Sequence, residues 1–156
     1  KNKDYVGSLY THAVKVAELA LADQSPATIS IADTETNIRL AGKLLRQIEK
    51  TLKLDASTPE SDRMSIILAC YNGGIGHVCD ARRLAKSNGE DYNSWEVVAR
   101  YLKMKADPSV YESELVRYGK FTGSRQTEAY VKEVIHRYGI YRNLVENGAD
   151  MVAQVK

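Results

Sequence analysis

The sequence predicts an all-α domain, and three observations carry that reading. Apolar residues recur at helical spacing almost throughout the 156 residues. No stretch of useful length alternates in the manner of a half-buried strand. Helix start and stop signals (Ser, Asp and Pro at the beginnings, Asn-Gly and Gly-Gly at the ends) punctuate the chain at short intervals.

Taken in order, Val14, Ala17 and Leu21, with Val16 and Leu19 beside them, predict a first helix from about Thr11 to Ala22. Gln24 to Ile31 carries Pro26 among small polar residues and reads as a loop. Asp33 or Thr34 can cap a second helix, with Ile38, Ala41, Leu45, Ile48 and Leu52 on one stripe. Ser57-Thr58-Pro59-Glu60 is a helix start, with Pro59 preset for the first turn and Glu60 placed for a capping box. The third helix then presents Met64, Ile67, Leu68 and Tyr71 on one face and stops at Gly73-Gly74. A fourth runs from about Gly76 to Lys86, ended by Asn88-Gly89. Ser94 caps a short helix carrying Trp95, Val98 and Leu102, and Asp107-Pro108 opens another. Ser124 caps the last long helix, whose expected buried stripe is Tyr130, Val131, Val134, Ile135 and Tyr138. The sum is about seven helices in one domain over residues 1–147, followed by a weakly patterned tail over 148–156.

Composition narrows the function classes. A chain 44% hydrophobic and 27% charged fills a core and is not disordered. Its formal charge of +2, from 22 basic and 20 acidic residues, argues against nucleic acid as a partner, which requires a dense basic face. No run approaches the ~20 apolar residues that span a bilayer. No secretory leader or lipidation signal stands at Lys1, so any membrane contact is expected only through an N-terminal anchor outside the sequence. Ten tyrosines against one Trp and one Phe suit a wet groove, since Tyr pairs an apolar face with a polar tip. His12, His77 and His136 are scattered and Cys70 and Cys79 lack partners at ligand spacing, so no metal site is expected. The two cysteines read as free, mostly buried thiols, with a bridge between them left open. His77 has no carboxylate placed beside it by sequence and reads as structural, while Arg82, Arg83 and Lys86 read as a solvated helix face.

Three segments resemble one family. They are Asp33-Thr34-Glu35-Thr36-Asn37-Ile38-Arg39-Leu40-Ala41-Gly42, then Leu68-Ala69-Cys70-Tyr71-Asn72-Gly73-Gly74-Ile75-Gly76-His77-Val78, then Gly123-Ser124-Arg125-Gln126-Thr127-Glu128-Ala129-Tyr130-Val131. In this order and spacing they are similar to the lytic murein transglycosylases of the soluble-enzyme type, especially their membrane-bound F branch. Asp80-Ala81-Arg82-Arg83-Leu84-Ala85 and Trp95 extend the likeness, which covers roughly Gly7 to Arg142. On local chemistry alone Tyr71-Asn72-Gly73 is an ordinary helix end and Tyr130 a core residue. The resemblance instead implies a lysozyme-like fold of the goose-type and a peptidoglycan substrate. Tyr71 and Tyr130 would then support catalysis, with Asn72, Gly73 and Gly74 holding the sugar.

The implied reaction cleaves the β-1,4 bond between MurNAc and GlcNAc and leaves a 1,6-anhydro end. A single Glu acts as acid and then base, and needs no cofactor. That Glu has no counterpart here. Tyr5-Val6-Gly7-Ser8-Leu9-Tyr10 stands for the segment that follows it in the family, which sets it about a dozen residues before Lys1. Glu18, Glu35 and Glu128 are poor substitutes, by surface position, first-turn placement and helical face respectively. Two explanations stay open: the C-terminal part of an active enzyme, favoured by the intact downstream segments, or a degenerate glycan-binding module. A goose-type lysozyme-like hydrolase is the enzymatic rival. The resemblance further implies a bacterial periplasmic or outer-membrane-associated location and a monomer.

Overall fold

The computed structural model describes the backbone of residues 34–154 and the side chains of residues 36–145 and 147. Among these residues the regular structure is all helix, without strands: α1 (Thr34–Leu52), α2 (Glu60–Gly73), α3 (Ile75–Ser87), α4 (Trp95–Met104), α5 (Pro108–Tyr111) and α6 (Ser124–Gln154). Six helices stand where the sequence predicts the last six of seven. The expected Thr11–Ala22 helix lies outside the described residues. α6 runs unbroken through the segment expected as a tail.

The chain divides into two compact units, residues 1–51 and 52–156. The first contributes α1 alone to the described residues. Its predicted stripe holds toward the C-terminus, where Ile48 is buried, and fails at Ile38, which is 68% exposed. Lys53 follows in the left-handed region at φ 46° and ends the helix.

In the second unit α2 is the central helix, packed against α3, α4 and α6, while α3 also packs on α4. Its buried residues are Ser65, Ile66, Leu68, Ala69, Cys70 and Gly73. The predicted face of Met64, Ile67, Leu68 and Tyr71 is thus corrected by a rotation. Ser65, Ala69 and Gly73 lie one turn apart, and small side chains let neighbours approach closely. At Gly73 the approach is explicit, since a Cβ there would stand 3.0 Å from Thr127 Oγ1 and 3.1 Å from Phe121 Cζ. The rotation turns Tyr71 outward. The remaining core includes Val78, Ala81, Leu84 and Ala85 of α3, Val98, Tyr101 and Leu102 of α4, Phe121 ahead of α6, and Val131 of α6.

Several caps differ from expectation. Pro59 is the N-cap of α2 rather than its first residue, no capping box forms, and the Thr58 hydroxyl is buried without a partner. Ser94 is the N-cap of α4 but makes no side-chain cap bond. The cap is supplied from across the fold, where Asp62 Oδ1 on α2 accepts from the Trp95 amide at 2.9 Å. Ser124 is the first residue of α6, not its cap. Tyr138, expected in the α6 stripe, is exposed, because the helix there has run past the packed layer. Asp107-Pro108 opens α5 as predicted, and the Asp107 side chain caps it by accepting from the Ser109 amide.

Candidate functional site

The α2–α3 junction is built by its glycines. α2 ends as the Gly74 amide donates to the Cys70 carbonyl, and Gly74 itself sits at φ 93°, ψ 131°, a conformation open to glycine at little cost. The chain turns there and enters α3 at Ile75. The last residues of α2 therefore project from a rigid helix end.

Tyr71 is 39% exposed and stacks on Tyr130 of α6, with ring centroids 6.4 Å apart and planes 15° from parallel. Burial, with Tyr71 beside it, pushes the Tyr130 phenol above its usual pKa, so at neutral pH it is a protonated donor. Asn72 is half-buried, and its Oδ1 accepts from the Thr127 hydroxyl at 3.1 Å. With Oδ1 occupied by a donor, the amide nitrogen is the group turned to further partners. Gly73 is buried beneath Thr127 and Phe121. The structure therefore brings Tyr71, Asn72, Gly73, Gly74 and Tyr130 together from two distant stretches of chain.

His77 lies one turn on, with its ring against Phe121 at 4.6 Å between centroids. Its Nδ1 stands 3.0 Å from Lys105 Nζ. Burial first, and then the Lys105 charge, lower its pKa from 6.5 to about 4, so Nδ1 accepts from the ammonium and the ring is neutral. A folded-state pKa below the unfolded value means the unfolded chain binds more protons between the two. Stability from this group is complete above pH 6.5 and is lost as pH falls toward 4. With allowance for the partly solvated ring, the expected loss is on the order of 1–2 kcal/mol. Urea titrations at pH 7 and pH 4 should show it, and His77→Phe should flatten this part of the profile.

Beneath His77 is an ion pair that sequence reasoning missed. Lys105 and Asp80 are both fully buried, Nζ to Oδ2 at 2.7 Å. Asp80 Oδ1 also accepts from Arg83 at 2.7 Å and from the Arg117 amide at 3.0 Å, and Oδ2 from the Tyr118 amide at 2.9 Å. Burial alone would raise the Asp80 pKa, but these four donors hold it below the usual carboxylate value. The expected solvated face of Arg82 and Arg83 is thereby corrected. Arg82 donates to the Tyr92 and Leu52 carbonyls and to Asn93 Oδ1, and Arg83 to Asp80 and the Leu115 carbonyl. Lys86 alone of the three is exposed.

Among the described residues of the second unit, no glutamate is a buried carboxyl of the kind the expected acid requires. Glu60, Glu96, Glu112, Glu114, Glu128 and Glu133 are exposed, and Glu90 is engaged by Arg100 and Tyr101. Glu128 lines a groove between α4 and α6 with Trp95 and Lys132. Glu18 and the Glu35 side chain lie outside the described residues. Cys70 is buried and Cys79 half-buried, and both are free thiols. Among the described residues no cluster of His, Cys, Asp and Glu is arranged to hold a metal, and no helix is long and apolar enough to cross a membrane.

No protein-family model matches the chain. Curated relatives do. The chain is 30% identical over 131 residues, 78% of its length, to a membrane-bound lytic murein transglycosylase F of Pasteurella multocida. It is 37% identical over 106 residues, 68% of its length, to the protein of that name from Shewanella loihica. A shorter match to the Maricaulis maris protein is 45% identical over 62 residues, 40% of the chain. The matches take in 25%, 21% and 13% of these relatives, so the chain spans a quarter or less of their length.

Proposed function

Because the chain belongs to the lytic murein transglycosylases by this domain, we propose that it forms the glycan-holding wall of an enzyme that cleaves the MurNAc–GlcNAc bond of peptidoglycan. The product would carry a 1,6-anhydro ring. The observation that carries this reading is the pairing of Tyr71 and Asn72, at a rigid helix end, with Tyr130 and Thr127 of α6.

In this reading the Asn72 amide donates to a sugar substituent, and the glycines let the glycan backbone lie close to the turn. The two phenols hold the catalytic acid and the reacting oxygen. Glycosidic cleavage needs a carboxylic acid kept protonated by a partly apolar site. The exposed glutamates of the described residues do not meet that need, so the acid is assigned to a residue outside them. Peptidoglycan strands are the partner and the cell envelope the place of action.

Digestion of purified sacculi with the full gene product tests the proposal. Mass spectrometry is expected to find muropeptides ending in anhydro-MurNAc. Reducing ends would assign a hydrolase instead, and binding without any release would assign a non-catalytic glycan module.

A further inference from the structure

Tyr118 is 61% exposed, yet it is held at three points. Its amide donates to the buried Asp80 carboxylate at 2.9 Å. Its ring lies so close over Gly76 that a Cβ there would collide with it. The edge of His77 meets it with centroids 6.5 Å apart and planes at 65°. Gly119, at φ 67°, then turns the chain away. An exposed aromatic fixed in this manner has already lost the freedom that binding would otherwise cost.

A chain of packed residues links its position to the tyrosine wall. From Gly73, seated against Phe121, the contacts pass to His77 on the same Phe121 ring, and from His77 and Gly76 to Tyr118. Tyr71, paired with Tyr130, stands just before the turn at Gly74, and Tyr118 packs on Gly76 just after it. A pyranose ring presents an apolar C–H face and polar edges, which matches a tyrosine's apolar ring and hydroxyl tip.

We propose that Tyr118 is a second glycan-contact platform, taking a sugar residue of the same strand beyond the one held at Tyr71 and Asn72. This rests on the reading of the turn as a glycan cleft. Calorimetry on the full 156-residue chain, with the GlcNAc trimer and hexamer as probes, tests it. Tyr118→Ala is expected to weaken hexamer binding about tenfold, with the trimer less affected and Tyr118→Phe close to the parent. Gly76→Ala, which displaces the ring without altering it, should reproduce part of the loss. If Tyr118→Ala and Gly76→Ala bind hexamer like the parent while Asn72→Ala does not, the platform is overturned and the cleft stands. If the parent chain binds neither probe, both fall together.

Discussion

Asp80→Ala is expected to cost the second unit about 3–5 kcal/mol of stability, the range for removing one partner of a buried ion pair. The size follows from what remains. The Lys105 ammonium, with no solvent exposure, would keep only His77 Nδ1, 3.0 Å away. The Arg117 and Tyr118 amides would lose their acceptor in the same step, and the Arg83 guanidinium would keep only the Leu115 carbonyl. Lys105→Met should cost less, because Asp80 would retain those three donors and the methionine fills the same space with apolar atoms. The double variant should therefore fall well short of the sum of the two. Urea denaturation of the three variants measures this, and strict additivity would mean the pair is not coupled. The pH dependence has a definite sign. The Asp80 pKa is lowered on folding, so its contribution is complete above the unfolded carboxylate value and is lost as pH falls through the lower folded one. That loss lies on the acid side of the His77 step.

This pair also shows where the sequence stops being legible. Helix positions were readable because each rests on local chemistry: a 3.6-residue apolar period, Asn88-Gly89 after α3, Asp107 before Pro108. Lys105 sits beside Met104 and Ala106 at the end of a short amphipathic helix, where a lysine normally faces water. Its burial depends on a carboxylate 25 residues away, and no local pattern encodes that. The α2 face departs from the apolar pattern for a related reason. Counting large apolar residues selects Met64 and Tyr71, whereas the tight side of the helix follows the small residues Ser65, Ala69 and Gly73. The rotation matters for the site, since a buried Tyr71 would offer nothing to a ligand. As candidate site residues Asn72 and Tyr130 are singled out only by family resemblance, for on periodicity alone they read as a helix cap and a core residue. Thr127, four residues into α6, carries no sequence signal for its role; only the fold sets it against Asn72.

On the proposed reading of the site, Asn72→Ala in the full gene product is expected to lower kcat/KM on murein by about 10- to 100-fold, corresponding to about 1–3 kcal/mol for a hydrogen-bond donor lost from a partly buried site. The Thr127 hydroxyl is the control that separates a direct role from a positioning one. Thr127 is 2% exposed, and its Cγ2 lies 3.5 Å from where a Gly73 Cβ would stand, so no substrate is expected to reach it. It acts through Asn72. Its hydrogen bond to Oδ1 anchors the amide and biases the Asn72 side chain toward one rotamer. Thr127→Val keeps the shape, removes that bias and should lower kcat/KM several-fold with little change in Tm. Thr127→Ser restores the hydroxyl and should recover most of it. On an Asn72→Ala background Thr127→Val should have almost no further effect, because there is no amide left to orient. Full additivity would mean that Thr127 serves only the packing of α6 on α2, and the site would then reduce to the tyrosine pair and the glycine turn.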